Sequence, residues 1–164
     1  MLNEKQMRFY DSLNYYERSL VLSIKYHKEE DGLEKIDKQP VLKTIELLGY
    51  KAKYKIKERF YQVLEEKNGI KFYFHINLKY GLVEIIFGNL RSIDDDGEKI
   101  GDEMGGTIGR ICGLIQYTNT GDIEIYKQTN VKLPVFRDYE ELKTILKDYF
   151  IFYEDFKTEF IKTI

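Results

Sequence analysis

The residues most able to do chemistry lie together in one acidic, glycine-rich stretch. It runs from Asp94 to Gly106 with the sequence DDDGEKIGDEMGG and interrupts a series of predicted β-strands. Carboxylate oxygens are the ligands that Ca²⁺ prefers, and glycine allows the tight turns of a binding loop. The stretch therefore has the composition of a ligand loop, which can be tested against known motifs.

The closest metal motif is the EF-hand calcium loop, which needs oxygen ligands at positions 1, 3 and 5, glycine at 6 and glutamate at 12. With Gly97 at position 6, Asp94 and Asp96 fall at positions 3 and 5. Glu103 then falls at position 12, but position 1 is Ser92, a poor first ligand. No flanking helices are predicted either, so a solvated acidic turn is the favoured interpretation and no metal is predicted.

The segment Gly105 to Arg110 offers flexible backbone and one cation, and it could open a helix whose N-terminus receives an anion. It lacks the Gly-Lys-Ser/Thr ending of a P-loop and the spacing of a dinucleotide fingerprint. The carboxylates just before it would also repel a phosphate. A tight turn with close backbone packing is therefore predicted, and no cofactor.

Catalytic groups are scarce in this chain. His27 and His75 are the only histidines, they fall on different predicted elements, and neither has a carboxylate at motif spacing. His75 is either a ligand-facing group or a partly buried structural histidine. Cys112, the only cysteine, lies among isoleucines and is expected to be an inert apolar group. The inventory predicts a protein that is not an enzyme.

Composition sets the class of protein. The 164 residues fit one domain, with 43% apolar and 15% aromatic residues, and a net charge of only −2. A globally cationic nucleic-acid binder is disfavoured by that charge. The apolar runs are too short to span a bilayer, the N-terminus is polar, and a single cysteine excludes an internal disulfide. We expect a cytoplasmic protein that binds neither membrane nor nucleic acid.

Apolar periodicity predicts helices at the start of the chain. One long helix is expected from about Glu4 to His27, although Leu20 to Tyr26 also alternates as a strand would. A short helix is expected from about Lys38 to Leu48. Lysines then alternate with apolar residues from Lys51 to Lys57, which favours an edge strand protected by charge, the alternative being a basic recognition strip.

The strongest pattern is a three-stranded antiparallel meander. Asn68-Gly69, a strong hairpin signal, joins strands from Arg59 to Glu66 and from Ile70 to Leu78, and a third strand covers Leu82 to Phe87. One face of the middle strand is uniformly apolar, and the opposite face is mixed and carries Tyr73 and His75.

The second half is expected to add a short helix and two short strands before a long helix. The helix covers Thr107 to Tyr117, and the strands cover Ile123 to Lys127 and Val131 to Val135. Asp138 can cap the long helix, whose apolar stripe should dock on the face of Ile70 to Leu78. The sequence thus predicts a single α+β domain over 1–164, with 1–49 mainly helical, about five antiparallel strands in 50–135, and a C-terminal helix over 138–163.

Fourteen tyrosines exceed what a core of this size needs, and tyrosine is enriched at protein interfaces. Exposed tyrosines beside an acidic loop suit a binder of a basic protein. The sequence therefore predicts a partner-binding site, with an oligomeric state left open. Its predicted residues are Asp94, Asp95, Asp96, Asp102, Glu103, Tyr73 and His75.

The chain resembles the small immunity proteins of bacterial polymorphic-toxin systems. The resemblance lies in the helical N-terminus, the strand meander, the link Met104 to Gly109, and the segments Phe136 to Leu142 and Tyr153 to Phe156. It implies a protein that binds and neutralises a cognate toxin domain. The order of elements from Arg59 onward also resembles a secretion chaperone, and a metal- or nucleotide-responsive sensor or enzyme using residues 94–110 is the third hypothesis.

Overall fold

The computed structural model describes residues 1–127 and 131–164. The helices are α1 Glu4–Ser12, α2 Tyr15–Tyr26, α3 Lys38–Leu47, α4 Ile108–Thr120, α5 Ile123–Lys127 and α6 Tyr139–Lys162. The strands are β1 Ala52–Lys55, β2 Phe60–Lys67, β3 Ile70–Lys79, β4 Leu82–Asn89, β5 Ser92–Ile93, β6 Lys99–Ile100 and β7 Gly105–Thr107. No helix in these two ranges is long and apolar enough to cross a membrane.

Five of the strands form one antiparallel sheet in the order β1-β2-β3-β4-β7, while β5 and β6 form a separate hairpin. The predicted α+β class, with N-terminal helices, a five-stranded antiparallel sheet and a long C-terminal helix, is confirmed. The predicted meander is β2 to β4, and its first turn has Asn68 at φ 54° and Gly69 at φ 78°. Both residue types adopt positive φ readily, which explains the tight two-residue connection.

The core lies between the sheet and the helices. Helix α6 packs on β3 as predicted, with the rings of Phe150 and Phe74 stacked at 4.2 Å. Further along the helix, Phe156 meets Phe72 edge to face at 6.5 Å. Asp138 caps α6, because its carboxylate accepts a hydrogen bond from the Glu141 amide at 2.8 Å.

The prediction of one helix from Glu4 to His27 is wrong, because the chain breaks at Asn14. Asn14 adopts the left-handed conformation with φ 50°, which asparagine tolerates better than most residues. The break lets α1 and α2 both reach the core, where Tyr10 and Tyr15 meet edge to face at 5.0 Å. The alternative strand over Leu20 to Tyr26 is also wrong, since these residues continue α2.

Two predicted strands in the second half are wrong as well. Ile123–Lys127 is a one-turn helix, and it begins where the Asp122 carboxylate accepts a hydrogen bond from the Glu124 amide at 2.9 Å. Within Val131 to Val135, the only strand-like pairing described is an isolated bridge from Val135 to Leu82. The fifth strand of the sheet is instead β7, which pairs with β4 inside the segment predicted to be a glycine-rich turn.

Candidate protein-binding surface

The two faces of the sheet differ in what covers them. We call the face toward α6 the covered face and the opposite one the open face. The described core contains Val63, Phe74 and Phe87 from the covered face and no side chain from the open face. Tyr73 is only 9% exposed, yet it lies outside that core because it belongs to the open face.

A small aromatic group forms the centre of the open face. The His75 ring lies 4.2 Å from the Phe60 ring and 4.8 Å from the Tyr73 ring, centroid to centroid. The amide of Gln62 donates a hydrogen bond to Nε2 of His75 at 3.1 Å. Burial, with a smaller contribution from Lys55, lowers the pKa of His75 to about 4. At neutral pH the centre is therefore uncharged.

Two aliphatic side chains, Leu64 and Ile86, extend this centre. Leu64 stands opposite Tyr73 in the register of β2 and β3, and 56% of it is exposed. Ile86 stands opposite His75 on the other side, in β4, and is half-buried. The open face thus carries neighbouring aromatic and aliphatic side chains that lie outside the described core, with Arg110 of α4 close to Tyr73.

Tyr73 is a packing residue rather than a free surface anchor. It pairs with Gly88 across β3 and β4, and its hydroxyl lies 2.9 Å from where a Cβ of Gly88 would be. The ring therefore occupies space that the glycine leaves empty. Burial raises the pKa of Tyr73, and the nearby carboxylate of Glu103 raises it further. Tyr73 joins the open face to the acidic stretch.

The acidic stretch is an ordered hairpin with a self-bonded turn. Strands β5 and β6 pair, and the carboxylate of Asp94 accepts hydrogen bonds from the amides of Asp96 at 3.0 Å and Glu98 at 2.8 Å. Asp94 thus builds the turn. The exposed carboxylates of Asp95, Asp96 and Glu98 form what we call the hairpin tip. No ion pair found in residues 1–127 and 131–164 involves these three.

The base of the hairpin, which we call the hairpin root, is neutralised and tied to the sheet. Asp102 pairs with Lys5 of α1, and Glu103 pairs with Arg91 at 3.7 Å. The side-chain amide of Asn89 donates to the Asp102 carbonyl at 2.9 Å, and its oxygen accepts from the Met104 amide at 2.7 Å. The carboxylates of the hairpin root therefore hold the hairpin against the rest of the fold, and those of the tip remain available to bind a partner.

The predicted site residues fall into three places. Tyr73, His75 and Glu103 come together on or beside the open face, Asp102 turns toward α1, and the remaining three lie at or beside the tip. Sequence reasoning missed several open-face residues, although alternation along β2 and β4 with antiparallel register would have found them. The missed residues are Phe60, Gln62, Leu64 and Ile86.

The other reactive groups of the sequence have structural positions. Nδ1 of His27 lies 2.8 Å from the Leu133 carbonyl, which fixes the loop after α2. Burial raises the pKa of the Cys112 thiol to about 11, so the thiol stays protonated inside the core. Across the described ranges, no three metal-ligating side chains are grouped to hold an ion. Comparisons with family models, curated proteins and solved structures found no match to this chain.

Proposed function

We propose that this protein is a non-catalytic binding protein that holds another protein on the open face of its sheet. The observation that carries the proposal is an apolar, aromatic patch outside the core, with Leu64 56% exposed at its centre. A sheet face in contact with water alone would be polar. An apolar centre with charged margins is instead the anatomy of a protein interface.

On the hairpin side of the open face, away from Lys53 and Lys55 of β1, the neighbouring charge favours a basic surface on the partner. Glu103 lies close enough to Tyr73 to raise the pKa of its phenol, so the hairpin root borders the open face. Beyond it, the hairpin tip presents carboxylates that the Asp94 turn holds in place. Such a preorganised acidic feature speeds association with a cationic surface and disfavours acidic competitors.

The positions of the reactive groups support a role without catalysis. His75 is held between two rings with a pKa of about 4, and Cys112 is buried and protonated. Among the described residues, neither has a hydrogen-bond partner that would activate it as a base or nucleophile. The resemblance of this chain to immunity proteins adds a finer proposal. The partner is a toxin domain, and the complex forms in the cytoplasm.

Site-specific photocrosslinking in the native host tests the binding face. A photoreactive residue at Leu64 reports on the open face, and one at Ile151 of α6 is the matched control, since the two positions are 56% and 50% exposed. We expect one protein to crosslink at Leu64 and not at Ile151. Capture of the same proteins at both positions would contradict the proposal.

A growth assay then tests the finer proposal. The captured protein, expressed alone in a bacterial host, should arrest growth, and co-expression of the wild-type chain should restore it. Leu64→Glu should fail to restore growth, because it places an unpaired charge in the apolar centre. Ile151→Glu should restore it fully. A captured protein without any toxicity would refute the immunity role while leaving the binding face intact.

A further inference from the structure

The outer edge of β1 combines free backbone groups with unneutralised lysines. β1 is the terminal strand of the five-stranded sheet, so one of its sides has no neighbouring strand among the described residues. Lys53 and Lys55 lie in β1, Lys51 precedes it and Lys57 lies in the turn that follows. No ion pair within the two described ranges involves any of these four lysines. We call residues 51–57 the lysine edge.

The register shows which backbone groups point outward. The two-residue turn at Asn68-Gly69 makes Lys67 and Ile70 a hydrogen-bonded pair, so alternate residues of β2 bond to β3. Of the other residues of β2, Gln62 and Phe60 bond to β1, where they pair with Lys53 and Lys55. The amide and carbonyl of Ala52 and Tyr54 therefore point away from the sheet.

The lysine and tyrosine side chains of β1 lie on opposite faces of the sheet. Lys53 and Lys55 belong to the open face, because they pair with Gln62 and Phe60 in β2. Tyr54 lies on the covered face, where its ring packs on Tyr61 at a centroid distance of 4.8 Å. Nζ of Lys38 lies 4.4 Å from the centroid of the Tyr54 ring. A strand added beside β1 would thus meet the ammonium groups of Lys53 and Lys55 on one face, and on the other an aromatic ring with an ammonium group over it.

We propose that the lysine edge binds an extended acidic segment of another protein as a sixth strand of the sheet. Main-chain hydrogen bonds to Ala52 and Tyr54 would supply the pairing, as in other cases of strand addition. Acidic residues of the segment face Lys53 and Lys55, and apolar residues alternate with them and pack toward Tyr54. Edge lysines repel unselected strands, and only a segment with this acidic and apolar alternation offsets that repulsion. The inference does not depend on what occupies the centre of the open face.

The probe is a short synthetic peptide of alternating glutamate and valine, with a block peptide of the same composition as its control. Fluorescence anisotropy at low salt should show binding of the alternating peptide and at least about tenfold weaker binding of the block peptide. Amide hydrogen exchange should show new protection at Ala52 and Tyr54 when the alternating peptide binds. Equal affinity for both peptides, or no new protection, would overturn the proposal.

Matched variants separate charge from backbone pairing. Lys53→Gln with Lys55→Gln should weaken peptide binding about tenfold, since two charge contacts with the peptide are lost. The same change at Lys143 and Lys147 of α6 should leave it unaltered. Ala52→Pro removes an outward amide and no charge, and it should weaken binding too.

Any of three outcomes would contradict strand addition. The first is that the α6 variants weaken binding as much as the β1 variants do. The second is that Ala52→Pro has no effect on binding in a protein whose circular dichroism shows it folded. Tighter binding of a single-stranded oligonucleotide at the same lysines would instead assign the lysine edge to phosphate recognition.

Discussion

The two faces of the sheet are built from alternate residues of the same strands, but they differ in how deeply their side chains are buried. On the covered face, Phe72, Phe74 and Phe87 are fully buried against the helices. On the open face, Leu64 is more than half exposed and His75 is held by its strand neighbours rather than by a helix. The covered face therefore supplies stability, and the open face is the surface that we propose binds another protein.

Charged groups also differ between the covered face and the hairpin tip. On the covered face, Lys157 is only 4% exposed, and its Nζ lies 2.8 Å from one carboxylate oxygen of Glu65 and 2.8 Å from one of Glu154. Tyr50 donates a hydrogen bond to Glu154 at 2.7 Å. These bonds fix α6 against β2. By contrast, no ion pair found in residues 1–127 and 131–164 involves the carboxylates of the hairpin tip.

The largest effect that separates the faces is a change in core volume. Phe74→Ala should lower the free energy of unfolding by about 3–5 kcal/mol, because it removes a fully buried ring. Leu64→Ala should change it by no more than about 0.5 kcal/mol. Urea denaturation of both variants measures the contrast. Similar losses at the two positions would show that the open face is part of the core.

The next effect concerns the buried lysine of the covered face. Lys157→Ala should lower the free energy of unfolding by about 2–3 kcal/mol, because it leaves Glu65 and Glu154 without their cation. Lys157→Met should cost less, since it retains the packing of the stem. Denaturation in low and high salt tests this. An alanine variant as stable as wild type would mean that the pair does not hold α6 in place.

A smaller effect is expected where the hairpin joins the sheet. Asn89→Leu should lower the free energy of unfolding by about 1–2 kcal/mol, because two hydrogen bonds to the hairpin root are lost. The amide of Met104 should exchange faster with solvent, while amides in the middle of β3 should not. Unchanged exchange at Met104 would contradict the role given to Asn89.

The last effect is a pH dependence that arises on the open face. The pKa of His75 is about 4 in the folded protein against 6.5 for an ordinary histidine, so the unfolded chain binds more protons between these values. The free energy of unfolding should therefore fall as pH drops from about 6.5 to about 4. His75→Gln should remove this contribution. An NMR titration midpoint for His75 at or above 6.5 would contradict it.

Much of this contrast could be read from the sequence. Strict alternation in Ile70 to Leu78 predicted both faces of β3, and the Asn68-Gly69 turn fixed its register with β2. The split of the first predicted helix into α1 and α2 could not be predicted, because the break at Asn14 depends on the packing of Tyr10 against Tyr15.

The structure of the acidic stretch was harder to predict, because an acidic, glycine-rich composition does not indicate strand pairing. Gly105 pairs with Gly88 so closely that an added Cβ would lie 2.2 Å from the Phe87 carbonyl, and such a contact leaves no hydrophobic pattern to read. Composition also could not separate the tip carboxylates from the root. The root is defined by the distant Lys5 and by Arg91, which only the folded chain brings to Asp102 and Glu103.

One measurement tests the central claim most directly. It is the Kd of the crosslinked partner for wild type, Leu64→Glu and Ile151→Glu, determined by calorimetry. A charge at the centre of the open face should weaken binding by about 100-fold or more, and the same charge on α6 should leave the Kd unchanged. Equal Kd values for the two variants would show that the open face is not the binding surface.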